Sequence, residues 1–151
     1  MSHSYTFLCT HFVFSTKGRV PLLTPNIIPR LLDYAGGIVR ASRCVLLAAN
    51  AVADHVHLLA DVHPSTAHAD LMREVKARTS SFVREAFPDA EWAGWQNGYG
   101  GFSVSRSGID AVKAYIARQE EHHRHMSFKE EFIAMLEKHG IEYDERYVWG
   151  E

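Results

Sequence analysis

Hydrophobic residues recur along this 151-residue chain with a period of two in some stretches and 3.6 in others, and the order of those stretches admits few folds. Tyr5 to Ser15 (YTFLCTHFVFS) is dense in aromatic and β-branched residues, which suits a strand with both faces at least partly covered. Thr24 or Asn26 can cap a helix running to about Ala41, with Leu31, Ala35, Ile38 and Val39 at helical spacing and a proline in its tolerant first turn. Gly36 and Gly37 weaken its second half. Two strand-like runs, Cys44 to Val52 and Asp54 to Val62, lie close enough to form a hairpin. From His68 to Phe87 the helical period returns, with Leu71, Val75, Thr79 and Phe82 on one side and Arg73, Lys76 and Arg84 on another. A glycine-marked loop leads to a short strand near Phe102 to Ser105. Ser107 with Asp110 resembles a capping box opening a helix from about Gly108 to Arg124. Ser127 with Glu130 repeats the device, and that second helix should stop at Gly140. The order β-α-β-β-α-β followed by two helices predicts an α+β, ferredoxin-like (RRM-like) sandwich with an antiparallel sheet, a helical tail and one domain over residues 1–151.

Composition narrows the setting. With 46% apolar residues the chain can bury a core unaided. Its longest uncharged apolar run, Cys44 to Ala53, is too short to span a bilayer, so a soluble cytoplasmic protein with no membrane partner is expected. Cys9 and Cys44 lack the spacing of a zinc knuckle or a disulfide framework and read as reduced, packed thiols. Lys and Arg total 16 against 18 for Asp and Glu, a formal charge of −2 that does not advertise nucleic-acid binding. Such a chain still binds phosphates if its basic residues gather on one face. Ten histidines are the anomaly, and in a chain this rich an H-x-H arises by chance roughly every other time.

One H-x-H nevertheless stands where it can act. In "VADHVHLLADV" the residues His55 and His57 share a strand face about 7 Å apart, with Val56 on the opposite face, so two imidazoles can converge on one metal ion. His123 and His125 have the same spacing in "EEHHRHM", but residues two apart on a helix diverge. Asp61 has the right strand parity but lies too far along, and Asp54 faces the other way. A third ligand must come from elsewhere. The helix "VKAYIARQEEHH" offers Tyr115 and Gln119, four apart and hence on one face, with His122 following. Spacing alone also fits a tyrosine at the edge of a core stripe beside a solvent-facing glutamine.

The segments "HFVFSTKGR", "DHVHLL", "GYGGFSVS", "YIARQEEHHR", "SFKEEF" and "ERYVW" together resemble the small insertion-sequence transposases of the single-tyrosine HUH nuclease class, in that family's order and over nearly the whole chain. The resemblance implies His55, His57 and Gln119 as ligands of a divalent ion and Tyr115 as nucleophile. Three neutral ligands leave the ion its full charge for a phosphate oxygen. Imidazoles favour Mn²⁺, oxygen ligands Mg²⁺. Attack by a phenol gives a 5′-phosphotyrosine and a free 3′-hydroxyl that can reverse the step, so no nucleotide cofactor is needed and no Walker-type loop is present. The resemblance further implies single-stranded DNA with hairpin ends as partner. It also implies a homodimer in which the tyrosine helix can complete the neighbour's site, with a hinge before Ser107. Candidates for the phosphate path are Lys17, Arg19, Arg73, Lys76 and Arg84, each equally explained by solvation. Two other readings stay open: a domesticated hairpin-binding protein that does not cut, and a phosphoesterase built on His63 with Ser65 and His125 with Ser127.

Overall fold

The computed structural model describes residues 3–150. Its strands are β1 (Cys9–Ser15), β2 (Val45–Val52), β3 (His55–Asp61) and β4 (Gly100–Ser103), and its helices α1 (Ile28–Ala41), α2 (His68–Ala86), α3 (Ile109–Ala117), α4 (Gln119–His122) and α5 (Phe128–Lys138). The strands form one antiparallel sheet in the order β2-β3-β1-β4, the ferredoxin-like arrangement that the periodicity predicts.

Strand alternation divides the buried residues between two faces. On one, Phe12, Phe14, Val56 and Leu58 pack against Leu31, Val39, Leu71 and Val75 of α1 and α2, forming the main core. On the other, Cys9 and Leu59 meet Ile109 and Ile116 of α3, while Val13 and Phe102 meet Phe128, Phe132 and Leu136 of α5. The second face carries His55 and His57 between these two patches. Among the described residues, no helix is long and apolar enough to cross a membrane.

Several boundaries differ from the expected ones. β1 begins at Cys9 rather than Tyr5, because its ladder with β3 starts at the Cys9–Asp61 pair and Tyr5 is 94% exposed. β4 lies two residues earlier than expected, since Gly100 pairs with Val13. Gly100 has a packing reason: an added Cβ would stand 2.7 Å from Cε1 of Phe132, so only glycine lets α5 approach β4 this closely. α1 is capped by Ile27, not by Thr24 or Asn26, with no side-chain cap bond. The Ser107–Asp110 box does not form; Gly108 caps α3, and the hydroxyls of Ser105 and Ser107 bond each other at 2.9 Å. The Ser127–Glu130 box does form. α5 ends as expected, in a Schellman turn: Gly140 has φ 65°, and the amide of Ile141 donates to the carbonyl of Leu136. The largest change is a break at Arg118, which splits the expected Gly108–Arg124 helix into α3 and α4.

Candidate active site

β3 turns both imidazoles inward, and neither is exposed to solvent. Each ring is fixed from behind. His55 Nδ1 lies 2.7 Å from Asp54 Oδ1, and His57 Nδ1 lies 2.7 Å from His11 Nε2. Holding Nδ1 in this way aims both Nε2 atoms into the space under α4 and α5.

Three side chains enter that space from the helices. Gln119, the first residue of α4, is fully buried, with Oε1 3.1 Å from His55 Nε2. His123 is the C-cap just past the end of the same short helix. Glu131 of α5, 2% exposed, brings Oε1 to 3.2 Å from Nε2 of His55, 3.2 Å from Nε2 of His57 and 3.1 Å from Nε2 of His123. Tyr115 is half-buried at the end of α3; its hydroxyl donates to Glu131 Oε2, and its ring centroid is 5.9 Å from that of His57. The tyrosine therefore lies beside the histidines of its own chain. A cleft of about 650 Å³ between α3 and α5, lined by His11, Phe102, Tyr115, Arg118 and Lys138 among others, opens the phenol to solvent.

The break at Arg118 makes this convergence possible. It directs Gln119 into the sheet while Tyr115 stays at the cleft, and the Asn50 amide on β2 steadies it by donating to the Ile116 carbonyl at 2.8 Å.

The charges are strongly coupled. Burial opposes protonation of His55, but hydrogen bonds to Asp54 and Glu131 outweigh it and push the ring up to about 9. Both of its nitrogens face acceptors, as a doubly protonated ring requires. Burial also penalises the Glu131 carboxylate, yet hydrogen bonds from His123, His55 and His57 hold its pKa well below the usual range. Burial lowers His11 to about 3, with His57 adding to the shift, and burial likewise lowers the pKa of His57. Burial and the neighbouring Glu131 carboxylate raise the Tyr115 phenol above its ordinary value.

Among the described residues, His55, His57, His123 and Glu131 offer ligand atoms within 4.8 Å of one another, so the cluster could hold a metal ion. The donor chemistry fits: three imidazoles and one carboxylate suit a divalent transition ion.

Of the residues singled out in the sequence, His55, His57, Gln119 and Tyr115 come together. The basic residues do not join them. Arg73, Lys76 and Arg84 lie on α2, across the sheet from the histidines. Arg73 pairs with Asp70 at 2.9 Å, and the Lys76 ammonium donates to the carbonyls of Gln96 and Gly98 at 2.7 and 2.6 Å, anchoring the loop before β4. Arg19 bonds the Trp149 carbonyl at 3.2 Å with its guanidinium over that indole, and Lys17 is exposed beside it. Trp92 and Trp95 are loop anchors, donating to Ser80 and Thr79.

Sequence alone assigns no place in the site to four participants, His11, Asp54, His123 and Glu131, although His123 stands in a histidine cluster that could compete for metal. His11 carried a signal, being a titratable residue on an apolar strand. Strand parity turns Asp54 away from the two histidines, but it sits at the hairpin turn before β3, where parity does not govern. Glu131 looked like one more acid in a charged helix.

Comparison with known proteins adds family and fold. A family model described as "Transposase IS200 like" matches residues 4–119. The curated ISDra2 transposase TnpA of Deinococcus radiodurans is 24% identical over 116 residues, covering 74% of this chain and 83% of that protein. A crystal structure of a candidate transposase from Deinococcus radiodurans R1 is similar at a TM-score of 0.63 and 25% identity, over 79% of this chain and 96% of the other. The structure of a REP-associated tyrosine transposase bound to a REP hairpin shares the fold at a TM-score of 0.57 and 17% identity, over 82% of this chain and 74% of the other.

Proposed function

Since the chain belongs to the family of IS200-like transposases, which cleave and join DNA, we propose that it nicks and rejoins single-stranded DNA with Tyr115 as its nucleophile. The observation that carries this reading is that the buried His55, His57 and Gln119 side chains gather round Glu131, which lines one accessible cleft together with Tyr115, whose hydroxyl donates to it.

His55, His57 and Gln119 would hold a divalent cation, Mg²⁺ or Mn²⁺. Such an ion supplies positive charge that polarises a non-bridging phosphate oxygen and offsets the cost of a phenolate. The chain's own residues do the rest. Asp54 and His11 keep both imidazoles oriented. The Tyr115 hydroxyl gives up its proton as its oxygen attacks phosphorus, the bond from phosphorus to the 3′ oxygen breaks, and that oxygen takes up a proton, leaving the 5′-phosphate esterified to the phenol and a free 3′-hydroxyl on the other strand end. Bond energy is conserved in the ester, so a second 3′-hydroxyl can displace the tyrosine and join a new strand without ATP.

The substrate in this reading is a strand with hairpin ends, the kind of DNA on which the REP-associated transposase of similar fold is bound. Lys17, Arg19, Arg73, Lys76 and Arg84 are the proposed backbone contacts, the three on α2 meeting DNA that extends past the site to the opposite sheet face, and a homodimer the proposed assembly.

The experiment is to incubate the protein with Mn²⁺ and a single-stranded oligonucleotide carrying the DNA end that flanks its own gene. A covalent adduct resolved by denaturing electrophoresis is expected, absent in Tyr115→Phe. An adduct that survives in Tyr115→Phe, or binding of the hairpin with no adduct under any divalent ion, overturns the reading.

A further inference from the structure

Glu131 occupies a position that a packing residue would not. Its neighbours on α5, Phe128, Phe132 and Leu136, build an apolar core, and burying a carboxylate among them costs several kcal/mol unless it is fully paired. It is paired on both oxygens, and the two serve different groups. Oε1 faces the imidazoles of His55, His57 and His123. Oε2 faces the Tyr115 hydroxyl, the Gln119 amide nitrogen at 3.1 Å and His122 Nε2 at 3.4 Å. The capping box at Ser127 fixes the start of α5 and so holds this side chain over the site.

The geometry points to Glu131 as a further residue of the metal centre: with His123 it joins His55 and His57 as a ligand of the divalent ion through Oε1, while Oε2 holds the Tyr115 hydroxyl. This inference rests on the proposed metal-dependent function and adds to its ligand set. Both added residues lie beyond the segment that the family model matches, which ends at Gln119. The consequence is chemical. A set of neutral ligands becomes one with an anionic oxygen donor, which favours a hard ion such as Mn²⁺ or Mg²⁺ over a soft one. Gln119, donating to Oε2, also positions the carboxylate. One side chain then links ion occupancy to the orientation of the nucleophile.

The alternative is that Glu131 only ties α5 to the sheet. Removing its charge would then change stability and leave metal affinity alone.

The test is Mn²⁺ affinity of the full-length protein, measured by titration calorimetry and by the electron paramagnetic resonance signal of free Mn²⁺. Glu131→Gln keeps the shape and removes the charge; its Kd should rise about 10- to 100-fold. Glu131→Asp should recover part of that loss, and His123→Asn should weaken binding in the same direction. His57→Ala is the reference and should abolish tight binding. If His57→Ala loses the ion while Glu131→Gln binds within twofold of wild type, Glu131 is no ligand and the inference falls, with the metal reading intact. If His57→Ala also binds as wild type does, the metal reading fails. Should Glu131→Gln fail to fold, His123→Asn at the rim decides: wild-type affinity there overturns the enlarged ligand set.

Discussion

Asp54 and His11 never touch the space under α4 and α5, yet they decide what His55 and His57 can do there. Each occupies one ring nitrogen and thereby aims the other. Outer partners of this kind typically change metal affinity 10- to 100-fold when removed. Asp54 sits half-buried at the hairpin turn, outside the apolar core, so Asp54→Ala should fold, and its Mn²⁺ affinity should fall by about that factor in a calorimetric titration. Unchanged affinity would mean that the backbone alone orients His55. Cys9, at the far end of the same sheet face, makes a different prediction. Burial, reinforced by Asp61 and opposed by Lys113, raises its thiol to about 11 from an ordinary 9.0. An acid whose pKa is raised by folding contributes stability that is intact below the unfolded value and is lost as pH climbs through the folded one. Between pH 8 and 10.5 the wild type should therefore lose more stability than Cys9→Ala, read from urea midpoints at the two pH values. Parallel losses would show that the thiol ionises as freely in the fold as outside it.

Two elements meet the sheet at points where a single atom matters. The α3–α4 junction at Arg118 has no glycine or proline to explain it; instead Asn50 of β2 satisfies the Ile116 carbonyl, and burial of Gln119 completes the turn. Asn50→Leu leaves that carbonyl without its donor. It should cost about 1 kcal/mol in chemical denaturation and slow covalent adduct formation, because Tyr115 and Gln119 lose their relative placement. A variant equal to wild type in both measurements would show that the break holds without Asn50. Helix α5 meets β4 at Gly100, where a methyl group would collide with the Phe132 ring. Gly100→Ala should destabilise by about 1–3 kcal/mol, and adding Phe132→Leu should recover part of the loss in a double-mutant cycle. Additive losses would mean that the two residues do not share the contact.

At the scale of the whole molecule, the second sheet face is covered by two separate helical units with the site between them. α3 packs against Cys9 and Leu59, and α5 against Val13 and Phe102. The C-terminal segment ties the second unit down, through Trp149 packed on Phe132 and flanked by Arg19 and Lys129. An ion bound by residues from β3 and both helical units should stabilise the fold as a unit. At a Mn²⁺ concentration 100 times its Kd the expected gain is about 2.7 kcal/mol, seen as a rise in Tm that EDTA reverses. A Tm indifferent to Mn²⁺ at concentrations that support adduct formation would contradict that coupling.

Local physics left its mark in the chain. The two hydrophobic periods order the strands and helices, and strand parity puts His55 and His57 on one face; each rule depends on residues close in sequence, whereas the i,i+4 spacing of Tyr115 and Gln119 is interrupted by the break at Arg118. The Ser127–Glu130 cap and the stop at Gly140 were legible for the same reason. What sequence did not carry is everything that depends on a partner distant in the chain. The start of β1 and the place of β4 follow from strand pairing, and the break at Arg118 from a β2 side chain. The depression of His11 follows from burial against β3. Glu131 is the sharpest case: in its helix it is one of two adjacent acids, and only the docking of α5 turns this one, rather than Glu130, toward the histidines. Spacing fixes which residues share a face, whereas desolvation and the meeting of faces, which set charge and coordination, exist only once the helices have packed on the sheet.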